Sequence, residues 1–184
     1  MRANVYIDPR CLLTALVPAA LEEYHKEVSG YLIGANGHRA SRLRILSAYP
    51  MQSDIKKPSS VVHGNLSAVG RVDGLLKPLN LVGGFHSHPD GPNRLSRSDL
   101  KFIREKLDDH ALDAWLELVV SVKKRDQGAR RPGIRVRPLA RKIGLTVATS
   151  SVESFALTLS GYWVRKAGNA QEATLWTSWK PTVA

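Results

Sequence analysis

LVGGFHSHPDGPNRLSRSDL, residues 81–100, is the stretch on which the reading of this chain turns. Leu81 to His88 is apolar and reads as a strand that runs straight into a histidine pair. Pro89, Gly91 and Pro92 break it, and Ser96 to His110 then sets Leu100, Ile103 and Leu107 on one face with charges on the other, which is a helix. In an extended segment His86 and His88 project from the same side while Ser87 faces away, so both imidazoles reach one metal ion. Asp99, thirteen residues after His86, falls in the first helical turn and can add a carboxylate oxygen. Two imidazoles and one carboxylate leave a position open on zinc, the mark of a catalytic rather than a structural centre, because water held there has its pKa lowered to about 7. Ser96 has two readings. Its hydroxyl can face an oxyanion, and Ser96-x-x-Asp99 ahead of an amphipathic helix is also a capping box.

Upstream, Val5 to Ile7 reads as a short strand, Asp8-Pro9 opens a helix to about His25, and Val28 to Ala35 reads as a buried strand. Asn36-Gly37 predicts a tight hairpin turn, with Leu43 to Leu46 as the returning strand. Glu27 stands at the entry to EVSGYLIG, where Gly30 and Gly34 allow a neighbouring backbone to approach closely, and it is the candidate general base. Residues 50–63 are polar and read as an irregular insertion, and Leu66, Val69, Val72 and Leu76 mark a helix ended by Pro78. Downstream, strands are expected at Trp115 to Val122, Ile134 to Val136, Leu145 to Val147 and Ser154 to Val164. The predicted class is therefore α/β in the α+β sense. Residues 1–165 form the domain, and 166–184 form an extension that packs on it or binds a partner.

The chain has 184 residues, enough for one domain with its own core; with 43% apolar and 23% charged residues, collagen-like, coiled-coil and disordered classes are excluded. Cys11 is the sole cysteine, which rules out an internal disulfide and a thiolate zinc cluster and favours a reducing, cytoplasmic setting. No run approaches the roughly 20 apolar residues of a membrane span. CLLTALVPAAL, residues 11–21, has the look of a secretory segment, but Asp8, Pro18 and the helical spacing of Leu12, Leu13, Leu16 and Ala20 favour an ordinary buried helix. Lys and Arg outnumber Asp and Glu by 27 to 16, and nine of the basic residues fall between Lys123 and Lys142. On one surface they would meet an acidic protein or nucleic acid. His25, His38, His63 and His110 lack a partner at ligand spacing and are read as surface or supporting groups.

Glu27 in E-x-x-G-x-L-x-G, then His86-x-His88, seven residues, Ser96 and two residues before Asp99, resembles the JAMM (MPN-plus, JAB) metalloprotease family. The resemblance implies a cytidine-deaminase-like fold, a mixed curved β-sheet sandwiched by helices. It implies that His86, His88 and Asp99 bind one Zn2+, that Glu27 is the general acid/base, and that Ser96 stabilises the oxyanion. It further implies a deubiquitinase-like isopeptidase or peptidase cutting after the C-terminal glycine of a ubiquitin-like protein. By the same resemblance, residues 50–63 and the loop from Asp126 to Gly133 flank the bound tail. No cysteine follows Asp99, so the linkage selectivity some eukaryotic branches draw from such a loop is not implied. Two rivals remain: a RadC-like nucleic-acid-associated protein using residues 123–142, and a catalytically silent MPN scaffold.

Overall fold

β1 (Asn4–Ile7), β2 (Ser29–Asn36), β3 (Arg42–Pro50) and β6 (Leu81–Pro89) come where alternation predicts strands, as do β7 (Ala114–Arg125), β8 (Gly133–Pro138), β9 (Ile143–Ala148) and β10 (Ser154–Arg165). The computed structural model describes residues 4–36, 42–52, 54–58, 60–63, 65–126 and 131–179. Gly37 of the expected hairpin turn and residues 127–130 of the expected flanking loop lie outside these, while β2 and β3 pair antiparallel up to Asn36↔Leu43. The close approach expected at Gly30 and Gly34 is real: a Cβ at Gly30 would stand 2.4 Å from the Phe85 ring, and one at Gly34 2.8 Å from the Arg44 carbonyl oxygen.

The expected curved sheet between helices is, among the described residues, a sheet that closes on itself. Its order is β11-β1-β3-β2-β6-β7-β10-β9-β8, with β11 (Gln171–Trp176) paired also to β10. β10 has room for both neighbours because β9 follows it along Ser154 to Leu159 and β11 takes over at Gly161 to Trp163. β11 runs parallel to β1 on its other side. Its inward positions, Ala173 and Leu175, are buried, yet two apolar residues make too short an alternation to announce a strand.

Two more segments depart from expectation. Residues 54–57 and 60–63, read as irregular, form an antiparallel pair of strands, β4 (Asp54–Lys57) and β5 (Ser60–His63). Their polar lysines and serines hide the β-branched Ile55, Val61 and Val62. The first helical segment ends at Glu22 rather than His25, and a π-helical turn at Leu12–Leu16 precedes Pro18, which has no N–H to give an α-helical bond.

Among the described residues the expected sandwich is not what forms; the few helices pack instead on the two core clusters of the closed sheet. Residues 9–22 bury Leu12 and Leu16 against Val5, Ile45, Leu118 and Leu157. On the other face, the helices Leu66–Leu76 and Arg97–Asp109 bury Val69, Ile103 and Leu107 against Tyr31, Trp115 and Val164. Each fully buried aliphatic side chain contributes about 1.5–3 kcal/mol. No helix among the described residues is long and apolar enough to cross a membrane.

Candidate metal centre

β6 lies between β2 and β7 and runs parallel to β7, with the helix Arg97–Asp109 connecting the two. The crossover brings the helix N-terminus beside the carboxyl end of β6, the usual place for a ligand site in a parallel strand pair. There the His86 and His88 rings stand 4.7 Å apart. Asp99 Oδ2 is 3.6 Å from His86 Nε2 and 3.8 Å from His88 Nε2. The three donor atoms all lie within 4.8 Å of one another, the span a single cation needs. Glu27 joins them from just before β2: its N–H donates to the Lys57 carbonyl at 2.8 Å, and its Oε1 lies 3.9 Å from His88 Nε2.

With a cation bound, both rings would be held in one tautomer. His86 Nδ1 donates to Glu117 Oε1 at 2.6 Å, and His88 Nδ1 donates to the Pro92 carbonyl at 2.6 Å, because neither acceptor has a proton to give. Each Nε2 lone pair is thereby turned toward the centre. Glu117 is itself fixed by the Trp115 Nε1–H at 2.7 Å and is 5% exposed. Sequence reasoning missed Glu117. Its only signal was a single acid inside the buried run WLELVVSV, residues 115–122.

His86 Nε2 is buried and accepts no hydrogen bond, an expensive state that a cation relieves. The charges agree. Burial opposes a charged His86, but the Asp99 and Glu117 carboxylates outweigh it and raise the ring to about 10. Burial likewise works against ionised Asp99, yet His86 and the Ser96 contacts hold its carboxyl well below the usual carboxylate range. Burial lowers His88. Two carboxylates that demand positive charge beside a buried ring nitrogen, with oxygen and nitrogen donors only, fit a divalent cation such as zinc. Glu117→Gln is expected to weaken zinc binding about 10–100-fold in competition with a chelating dye; unchanged affinity would deny Glu117 its role in orienting His86.

Glu27 differs from Asp99: burial pushes its carboxyl up to about 7, Asp99 adding to the rise and His86 opposing it. A carboxylate poised near neutrality both takes and returns a proton. Ser96 forms the capping box. Its N–H donates to Asp99 Oδ2 at 2.6 Å, and its Oγ accepts the Asp99 N–H at 3.1 Å. The cap thus also aims the Asp99 carboxylate at the imidazoles. Ser96 is exposed, and its Oγ lies 2.7 Å from Ser98 Oγ. Beside these groups is a cavity of about 170 Å³, lined among others by Glu27, Tyr31, His86, Asp99, Lys106 and Trp115.

Of the remaining histidines, His110 is buried, 3.6 Å from Asp73 and packed against Tyr31 and Trp115, while His38 lies outside the described residues. Cys11 is buried, and burial pushes its thiol up to about 12, so it offers no thiolate chemistry. The basic stretch is divided. Lys124 pairs with Glu153 at 2.9 Å, and Arg141 and Lys142 each reach Glu172 at 3.5 Å. Lys123 and Arg135 share one row of the sheet through Ala156 and Thr146, so Lys123, Arg125, Arg135 and Arg137 project from one face. That face is the one carrying Glu117 and Ser121, whose hydroxyl holds the Gly91 carbonyl beside the centre.

No curated protein matches the sequence. Among solved structures, the solution structure of protein DSY2949 from Desulfitobacterium hafniense is similar in fold, with a TM-score of 0.55 and 17% identity over 96% of this chain and 94% of that one. A family profile described as prokaryotic homologs of the JAB domain matches residues 9–132, which take in Glu27, both histidines, Ser96, Asp99 and Glu117. The chain belongs to this family of prokaryotic JAB-domain homologs.

Proposed function

We propose that this chain is a zinc-dependent peptidase or isopeptidase that cuts the bond after the C-terminal glycine of a ubiquitin-like protein. The observation that carries the reading is the convergence of His86, His88 and Asp99 around one point, with Glu27 beside it near neutrality and Glu117 fixing the ring. The substrate class rests on the likeness to JAMM metalloproteases. His86, His88 and Asp99 would hold the zinc, which would supply a Lewis acid for a water molecule and for the scissile carbonyl. Glu27 accepts the proton of the attacking water and delivers it to the departing amine. The cap consumes a lone pair of Ser96, not its O–H, so the hydroxyl is able to donate to the oxyanion when Ser98 is the donor of the hydrogen bond the two serines share. Ser29 and Gly30 of β2 line the cavity beside the metal donors, where an extended tail can pass along the strand.

The direct test is a screen of modifier fusions ending in Gly-Gly. Cleavage that stops with a chelator and returns with zinc supports the reading; no turnover of any fusion by the zinc-loaded chain overturns it. Ser96→Ala separates the two uses of that residue. As an oxyanion donor it is expected to lower kcat about 10²–10³-fold, whereas loss of the cap alone costs about 1 kcal/mol of stability with kcat kept.

The four cations on the site face favour an acidic surface on the substrate protein. Lys123→Glu with Arg135→Glu is expected to raise KM with kcat little changed, and the effect should shrink as salt rises. A nucleic-acid role would show instead as duplex or RNA affinity that falls steeply between low and physiological salt, without cleavage of any fusion.

A further inference from the structure

The cavity beside the metal donors ends in a charge that the proposed chemistry does not use. Lys106 lines it and is 7% exposed. Among the described residues its ammonium forms no ion pair and no hydrogen bond; it lies 5.8 Å from the Tyr31 ring centroid and 5.7 Å from that of Phe102. Two ring faces give the ammonium cation–π contacts but no hydrogen-bond acceptor. The arrangement is what a pocket for an anionic group looks like before the anion arrives.

Position on the helix supports this. Asp99 and Lys106 are seven residues apart on Arg97–Asp109, close to two full turns, so they face the same way about 10 Å apart along the axis. Phe102 and Ile103 lie between them on the same side and also line the cavity. The separation keeps the ammonium from neutralising the acids around the metal donors, and among the described residues it pairs with none of them. Tyr31, Phe102, Ile103 and Trp115 supply apolar wall, with the Glu27, Asp99 and Glu117 carboxylates also lining the cavity, and about 170 Å³ is close to the volume that holds a single small aromatic molecule in other proteins.

We infer that the Lys106 end of this cavity binds an apolar group bearing a carboxylate, and that the substrate carries such a group. An extended chain advances about 3.3 Å per residue, so the carboxylate stands about three residues from the bond that is cut. The inference rests on the peptidase reading for its place in a reaction, but not for the binding itself.

The experiment is calorimetric titration of the full-length chain, supplied with one equivalent of zinc, with 3-phenylpropionate and with its uncharged amide. The acid is expected to bind about tenfold more tightly than the amide, the margin of one charge-assisted contact. Lys106→Met, which keeps the apolar stem, should remove the preference, and Lys106→Arg should keep it. Melting temperatures of both variants confirm that they fold. Equal binding of acid and amide by the parent chain overturns the inference. So does a preference that survives Lys106→Met, since the metal would then be the anchor. If the acid binds through Lys106 while no modifier fusion is cut, the peptidase reading falls and the pocket stands.

Discussion

Glu27→Gln is expected to lower kcat for a Gly-Gly fusion by about 10²–10⁴-fold, while one equivalent of zinc stays bound. The amide matches the carboxylate in shape but can neither take up nor release the proton. Glu27 Oε1 is 3.9 Å from His88 Nε2, whereas Asp99 Oδ2 lies 3.6 and 3.8 Å from the two rings and is fixed by the cap. Its carboxyl is also the acid of the centre raised toward neutrality, to about 7. An essential proton carrier is therefore expected to lower kcat and kcat/KM together, and KM should move little. The checks are steady-state kinetics and metal content measured on the same preparation. Full turnover by Glu27→Gln removes Glu27 from the mechanism, and loss of zinc would make it a ligand instead.

The candidate site was legible in sequence where it depends on local geometry. Strand parity puts His86 and His88 on one side, and helix phase puts Asp99 in the first turn; both follow from residues within fourteen positions, and the structure keeps both. Glu117 was not legible, because its role is created by register. Parallel pairing sets Gly84 opposite Glu117, and a Cβ at Gly84 would stand 3.0 Å from Glu117 Oε2, so the missing side chain is what leaves room for the carboxylate that holds His86. No spacing rule within β6 or β7 alone announces that pairing. Closure of the sheet was hidden for the same reason, since β11, besides pairing with the preceding strand β10, pairs with β1 at the far end of the chain. The basic stretch could be counted but not partitioned. Alternation puts Lys123 and Lys124 on opposite faces, and only the structure shows Lys124 meeting Glu153 and the Tyr24 ring, with its neighbour left on the site face.

Asp99→Asn is expected to weaken zinc binding by more than about 100-fold, beyond the range for a group that only orients a ligand. The fold should remain. Asp99 does two things with one oxygen: Oδ2 accepts the Ser96 N–H at 2.6 Å and faces both imidazoles. An asparagine oxygen can still accept that N–H, so the capping box survives. What goes is the negative charge, worth about 0.3–1 kcal/mol at a helix N-terminus and far more beside a divalent cation. Melting in excess chelator removes the contribution of bound metal and isolates the fold. Under that condition the asparagine variant should melt within a few degrees of the parent chain. In excess zinc the parent should gain stability that the variant does not. Parent-like zinc affinity in Asp99→Asn would show that the carboxylate serves the helix and not the metal. A collapse of melting temperature in chelator would show the reverse error, a fold that leans on this charge more than the cap geometry implies.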